Sequence, residues 1–137
     1  QCSAGTYQSG SVCTPCKVCS TNAKTTGACS AGSTSDMIVC TCNAGFIGDG
    51  VSVCNQCSSG TYQNGSKCSP CAVCVSVATT SGSCPAGSSS DAVSCTCPSG
   101  YIGDGTSLGS GCLQCPAGTY QLGQRCKNCT VCSANAA

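Results

Sequence analysis

The 137-residue chain has no tryptophan, no histidine and no glutamate, and only one phenylalanine (Phe46) and one methionine (Met37). Without histidine there is no imidazole for general acid–base work and no serine triad, and the side-chain carboxylates are four aspartates. Charge is scarce as well: five basic against four acidic residues, a net of +1. Nucleic acid and anionic membrane are met by clustered Lys and Arg, so neither is expected as a partner. No apolar run approaches the roughly 18 residues that a bilayer-spanning helix needs, and no membrane span is expected in this segment. A chain this poor in large side chains cannot bury enough apolar surface to offset the entropy of ordering it.

What it has instead is sulfur. Twenty cysteines lie among the 137 residues, well above the roughly 8–10% that marks a disulfide scaffold. Cysteine at that density implies an oxidising compartment, because cytosolic glutathione would keep the thiols reduced. A secreted, extracellular or cell-surface location follows as the expectation. Gln1 reads as the start of a mature or excised segment from which any leader has been removed.

The cysteines repeat. They fall at 2, 13, 16, 19, 29, 40, 42 and 54, again at 57, 68, 71, 74, 84, 95, 97 and 112, and again at 115, 126, 129 and 132. The spacings of the first two series agree except that Cys97 and Cys112 stand further apart than Cys42 and Cys54. The residues between them repeat too. Gly5-Thr6-Tyr7-Gln8 returns as Gly60-Thr61-Tyr62-Gln63 and Gly118-Thr119-Tyr120-Gln121, and Phe46-Ile47-Gly48-Asp49-Gly50 returns as Tyr101-Ile102-Gly103-Asp104-Gly105. The chain divides into cysteine-rich repeat 1 (residues 1–56), repeat 2 (57–114) and partial repeat 3 (115–137). The half-repeat points to a piece of a longer array, or to completion by another copy.

No window carries an apolar residue at every third or fourth position, so helix is not expected. Gly-Thr-Tyr-Gln followed by Ser9-Gly10, Asn64-Gly65 or Leu122-Gly123 predicts a strand, a tight turn and a return strand. Asp49-Gly50 and Asp104-Gly105 predict a second hairpin per repeat, with the hydroxyl-rich stretches 20–36 and 75–91 as the irregular part. Junctions such as Thr41, Asn55-Gln56 and Leu113-Gln114 are one or two residues long and flanked by cysteines, which leaves little hinge freedom. The expected fold is small and disulfide-rich, mostly irregular with short β-hairpins, in an elongated tandem array of cysteine-rich modules.

Candidate chemistry is thin. The three Cys-x-x-Cys-x-x-Cys segments, at Cys13-Cys16-Cys19, Cys68-Cys71-Cys74 and Cys126-Cys129-Cys132, have the spacing of zinc or iron–sulfur ligands, but the histidine-free secretory framework favours disulfides. Lys17, Arg125 and Lys127 lie near such cysteines, as a redox thiolate would need, yet nothing else supports that chemistry. One aspartate per Gly-Asp-Gly loop is too few for calcium, and a turn role for Asp49 and Asp104 is favoured. No catalytic residue, cofactor or metal ligand is assigned, and the chain is not expected to be an enzyme. Tyr7, Tyr62 and Tyr120 could anchor an interface, though a ring lying over its own disulfide is the plainer reading. Asn64-Gly65-Ser66 and Asn128-Cys129-Thr130 are N-glycosylation sequons, so Asn64 and Asn128 are candidate glycan carriers. Segments such as Thr25-Thr26, Ser33-Thr34-Ser35, Thr79-Thr80-Ser81 and Ser88-Ser89-Ser90 are candidates for O-linked sugar, which would help keep a weakly charged chain in solution.

Spacing alone leaves the pairing of the cysteines open, since eight of them allow about 105 connectivities. The segment Cys-x-x-Gly-Thr-Tyr-Gln with Cys-x-x-Cys-x-x-Cys downstream resembles the cysteine-rich repeats of tumour necrosis factor receptor ectodomains. The run from Cys40 and Cys42 through Phe46-Ile47-Gly48-Asp49-Gly50 to Cys54 is similar to the C-terminal half of an epidermal growth factor module. The resemblance implies the pairs Cys2–Cys13, Cys16–Cys29, Cys19–Cys40 and Cys42–Cys54 in repeat 1. In repeat 2 it implies Cys57–Cys68, Cys71–Cys84, Cys74–Cys95 and Cys97–Cys112, and in repeat 3 Cys115–Cys126, leaving Cys129 and Cys132 unassigned or bonded to another segment. The function expected is that of a glycosylated extracellular structural protein, the protomer of a surface filament, flagellar hair or coat, joined head to tail to copies of itself. The alternative is a ligand-binding receptor ectodomain or a protist-type cysteine-rich surface antigen.

Overall fold

The computed structural model describes residues 1–130. The chain folds as a small disulfide-rich array of tandem modules, and its described residues form seven two-stranded antiparallel sheets and contain no helix. The hairpins follow one another in sequence: β1 (Thr6–Ser9) with β2 (Val12–Pro15), β3 (Ala23–Thr26) with β4 (Val39–Cys42), β5 (Phe46–Gly48) with β6 (Cys54–Gln56), and β7 (Thr61–Asn64) with β8 (Lys67–Pro70). They continue as β9 (Thr79–Ser81) with β10 (Ser94–Thr96), β11 (Tyr101–Ile102) with β12 (Leu113–Gln114), and β13 (Thr119–Leu122) with β14 (Arg125–Asn128). Two compact units are formed, one from Gln1–Pro70 and Cys84–Asp91, the other from Cys71–Ser83 and Ala92–Ala137.

Each complete repeat holds three hairpins rather than two. The additional one, β3–β4 in repeat 1 and β9–β10 in repeat 2, uses part of each stretch expected to be irregular. Its strands are rich in threonine, a β-branched residue suited to a pleated surface. The Cys19–Cys40 and Cys74–Cys95 bridges tie this hairpin to the start of its own segment, compensating for its small number of hydrogen bonds.

The turns of the Thr-Tyr-Gln hairpins have Gly10, Gly65 and Gly123 as the first of two central residues, at φ of 63°, 63° and 62°. That position and sign are what a type II′ turn requires, and its twist matches the flanking strands.

In the first unit the buried apolar residues are Cys2, Cys16, Cys54, Cys57 and Cys84, with Cys57 fully enclosed. The glycines Gly45 and Gly50 are buried beside them. In the second unit Cys71 and Gly105 are buried. Cysteine occupies the place of a hydrocarbon core. A Cβ on Gly50 would overlap the backbone of Cys40, so the glycine of Gly-Asp-Gly is what lets the loop close onto sulfur.

Candidate functional site at the outer edge of the repeat hairpins

In β1–β2 the residues Tyr7 and Thr14 face each other, as do Gln8 and Cys13. The N–H of Gln8 is turned outward from the ladder and donates to the carbonyl of Ser33 at 2.9 Å. The N–H of Gly5 donates to the carbonyl of Cys29 at 2.8 Å, and the N–H of Gly32 donates back to the carbonyl of Cys2 at 2.9 Å. The segment Cys29-Ser30-Ala31-Gly32-Ser33 thus lies along the outer edge of the hairpin as a partial third strand.

Repeat 2 reproduces this in the first unit. Gly60 N–H donates to Cys84 C=O at 2.8 Å, Gln63 N–H to Ser88 C=O at 2.9 Å, and Gly87 N–H to Cys57 C=O at 2.8 Å. Tyr62 and Ser88 form a parallel bridge. Gly32 and Gly87 share a positive φ, 84° and 82°, which bends the covering segment onto the edge. Sequence reasoning missed this role of the Ala-Gly-Ser loops. The signal was present in the return of Ala31-Gly32-Ser33 as Ala86-Gly87-Ser88, inside stretches set aside as loop.

A second recurring contact joins the Phe/Tyr-Ile-Gly-Asp-Gly hairpin to the Thr-Tyr-Gln hairpin that follows. In the first unit Cys57 N–H donates to Gly45 C=O at 2.9 Å, and Gly45 N–H donates to Gln63 Oε1 at 2.8 Å. In the second unit Cys115 N–H donates to Gly100 C=O at 2.8 Å, and Gly100 N–H donates to Gln121 Oε1 at 2.9 Å. The glutamine of Gly-Thr-Tyr-Gln is therefore a junction residue.

The cysteines pair as Cys2–Cys13, Cys16–Cys29, Cys19–Cys40, Cys42–Cys54, Cys57–Cys68, Cys74–Cys95, Cys97–Cys112 and Cys115–Cys126. Cys71 and Cys84 are also disulfide-bonded. Cys129 carries a free thiol and is exposed, and Cys132 lies outside the described residues. The Sγ atoms of Cys16 and Cys29 and a carboxylate oxygen of Asp36 lie within 4.8 Å of one another. Both sulfurs are joined in a disulfide, however, and Asp36 accepts from the N–H groups of Lys17 at 3.0 Å and Ile38 at 2.9 Å. This is a structural knot rather than a ligand set.

Asp49 and Asp104 are turn organisers. One oxygen of Asp49 accepts from the N–H groups of Val51, Ser52 and Val53. In the longer loop of repeat 2, Asp104 accepts from Thr106, Ser110 and Gly111. These backbone donors hold both carboxyls below the usual carboxylate range, those of Val53 and Thr106 acting most strongly. Asp36 is lowered likewise, first by the Lys17 N–H. Asn64 ends β7 beside its turn and Asn128 ends β14, and both are exposed. Tyr7 and Tyr62 are half-buried, whereas Tyr120 is 45% exposed.

The hairpins, their sulfur core and their edge loops together define a disulfide-rich tandem repeat protein, a class typical of secreted and extracellular chains. No protein family matches the chain, and neither the curated proteins nor the solved structures yield a significant match. Among the described residues no helix is long and apolar enough to cross a membrane.

Proposed function

We propose that this chain is a glycosylated extracellular structural protein whose repeats form the protomer of a surface filament, flagellar hair or coat, joined end to end with copies of itself. It acts without catalysis or cofactor. The observation that supports this best is the uniformity of the hairpin edge. The same two N–H groups meet the same two carbonyls in repeats 1 and 2, at 2.8 and 2.9 Å in both. A building unit needs a framework that returns unchanged from repeat to repeat, so that each unit can bond mainly to its neighbours. Asn64 and Asn128 carry N-linked glycan in this reading, and the hydroxyl-rich loops carry O-linked sugar.

Electron microscopy of the purified glycosylated material is the test. Fibres should be seen at high concentration; short monodisperse particles at every concentration would refute the assignment. The cysteine framework, similar to tumour necrosis factor receptor and epidermal growth factor modules, supports a second reading as a receptor ectodomain or cysteine-rich surface antigen. A membrane anchor encoded on the same gene product, together with absence of fibres, would favour it.

A further inference from the structure

Asn64 stands two residues after Tyr62 on strand β7, so the two side chains leave the hairpin on the same face. In the register of the pair, Ser69 lies opposite Tyr62 and Lys67 opposite Asn64, which completes that face. The other face is the inward one. There Gln63 is opposite Cys68, Gln63 Oε1 accepts the Gly45 N–H at 2.8 Å, and Cys68 is bonded to the fully enclosed Cys57. The sequon Asn64-Gly65-Ser66 therefore opens at the turn of a stapled hairpin, with a tyrosine on the outer face beside its asparagine.

This pairing is peculiar to repeat 2. Ser9 and Leu122 stand at the position of Asn64 in hairpins β1–β2 and β13–β14, two residues after Tyr7 and Tyr120. The second sequon asparagine, Asn128, has Cys126 two residues before it and Thr119 across the pair, and neither is aromatic. Tyr62 is half-buried and Asn64 exposed, so part of the tyrosine faces solvent on the side of the asparagine amide. Side chains two apart on a strand are about 7 Å from one another along it, a distance that one sugar joined to the amide can bridge.

A pyranose presents a face of C–H groups with slight positive charge, and an aromatic ring presents a negative face, so the two stack. The register, the turn glycine Gly65 at φ of 63° and the Cys57–Cys68 bridge hold Tyr62 and Asn64 in place before any sugar arrives. A tyrosine also gives up little side-chain entropy when it is covered. We infer that Tyr62 is the seat of the first N-acetylglucosamine of the Asn64 glycan, an inference that rests on Asn64 being glycosylated and adds a fixed direction to the sugar. The sugar lies back along β7 over the tyrosine ring instead of extending into solvent, and the glycan shields the outer face of this hairpin.

The test uses the full chain secreted from eukaryotic cells and trimmed by an endoglycosidase to a single N-acetylglucosamine at each occupied asparagine, with proton NMR as the readout. Cross-relaxation between the Tyr62 ring and the Asn64 sugar is expected. The sugar protons should be shifted upfield from those of N-acetylglucosaminyl-asparagine free in solution, while a sugar on Asn128 keeps the free values. Removing the remaining sugar with a glycan amidase should move the Tyr62 ring resonances and leave those of Tyr7 in place. Tyr62→Phe should keep the upfield shift and Tyr62→Leu should lose it; the comparison before and after amidase treatment stands whether or not the leucine variant folds. An occupied Asn64 whose sugar shows no ring shift, or touches Phe46 in the groove that Gln63, Gly65 and Ser66 line, would overturn this inference alone. Asn64 found unmodified would overturn it together with the glycosylated reading.

Discussion

Hairpins β7–β8 and β13–β14 share the Thr-Tyr-Gln strand, the turn and the register, yet among the described residues a covering segment lies along the edge of the first and not of the second. In the first unit, Cys84 and Ser88 offer carbonyls to Gly60 and Gln63, and Cys57 is fully enclosed. In the second unit the equivalent Gly118 and Gln121 meet no carbonyl among the described residues, and Cys115 stays half-buried. Both hairpins nevertheless have the same register and the same turn glycine geometry. The bridge and the turn therefore suffice to form a hairpin, while the covering segment is what encloses the sulfur. A repeat of this kind carries its own stapled template and takes its core from a segment further along.

The largest expected difference between the two hairpins lies in their bridges. Removing the Cys57–Cys68 pair by double substitution to alanine should cost about 2–5 kcal/mol in thermal or denaturant unfolding of the first unit. The same change at Cys115–Cys126 should fall at or below the low end of that range, because less burial is lost; equal costs would break the comparison. Next come the junction glycines. Gly45 has φ of 82° and Gly100 has φ of 84°, but a Cβ at Gly45 would run into the carbonyl of Gly87 whereas one at Gly100 meets nothing within 4 Å. Gly100→Ala should cost about 1–2 kcal/mol for the left-handed backbone alone, and Gly45→Ala a further ~1–3 kcal/mol for the overlap. A melting series on the two variants checks the order.

A smaller effect is expected from the junction glutamines. Gln63→Ala leaves the buried Gly45 N–H without its acceptor and should cost about 1 kcal/mol, with Gln121→Ala costing less because Gly100 is more exposed. The smallest effect is on pH. Asp36, Asp49 and Asp104 are more acidic in the fold than in an open chain, so the unfolded chain binds protons first as pH falls. Their contribution is fully present above about pH 4 and is lost as pH drops through the folded values. Lower amide protection at Val51, Ser52 and Val53 below that pH, relative to an open chain at the same pH and with the bridges intact, would report it. Protection there that is unchanged from neutral to acid pH would remove the aspartate from its role.

Much of the local structure was legible because it depends on few residues. Gly-Thr-Tyr-Gln with a following glycine contains strand, turn and return strand within a short window, and the density of cysteine announced the core. What stayed hidden depends on residues far apart in sequence. The β3–β4 hairpin joins Ala23–Thr26 to Val39–Cys42 across a long excursion, so neither strand has a turn beside it to mark it. The covering segments lie more than twenty residues beyond the glycines they bond, and read alone Ser30-Ala31-Gly32-Ser33 looks like any small polar loop. For the same reason Cys84–Asp91 belongs with a compact unit whose main body ends at Pro70. Disulfide pairing was open on spacing alone, because equal intervals fit many connectivities; the backbone bonds around Cys29 and Cys84 supply the physical reason those residues return to the hairpin.

The central claim, that an edge segment closes the sulfur core of hairpins β1–β2 and β7–β8, is tested most directly by amide exchange at the two equivalent glutamines. Gln8 and Gln63 should exchange far more slowly than an open strand, because their N–H groups are held by Ser33 and Ser88. Free exchange at both would contradict the account.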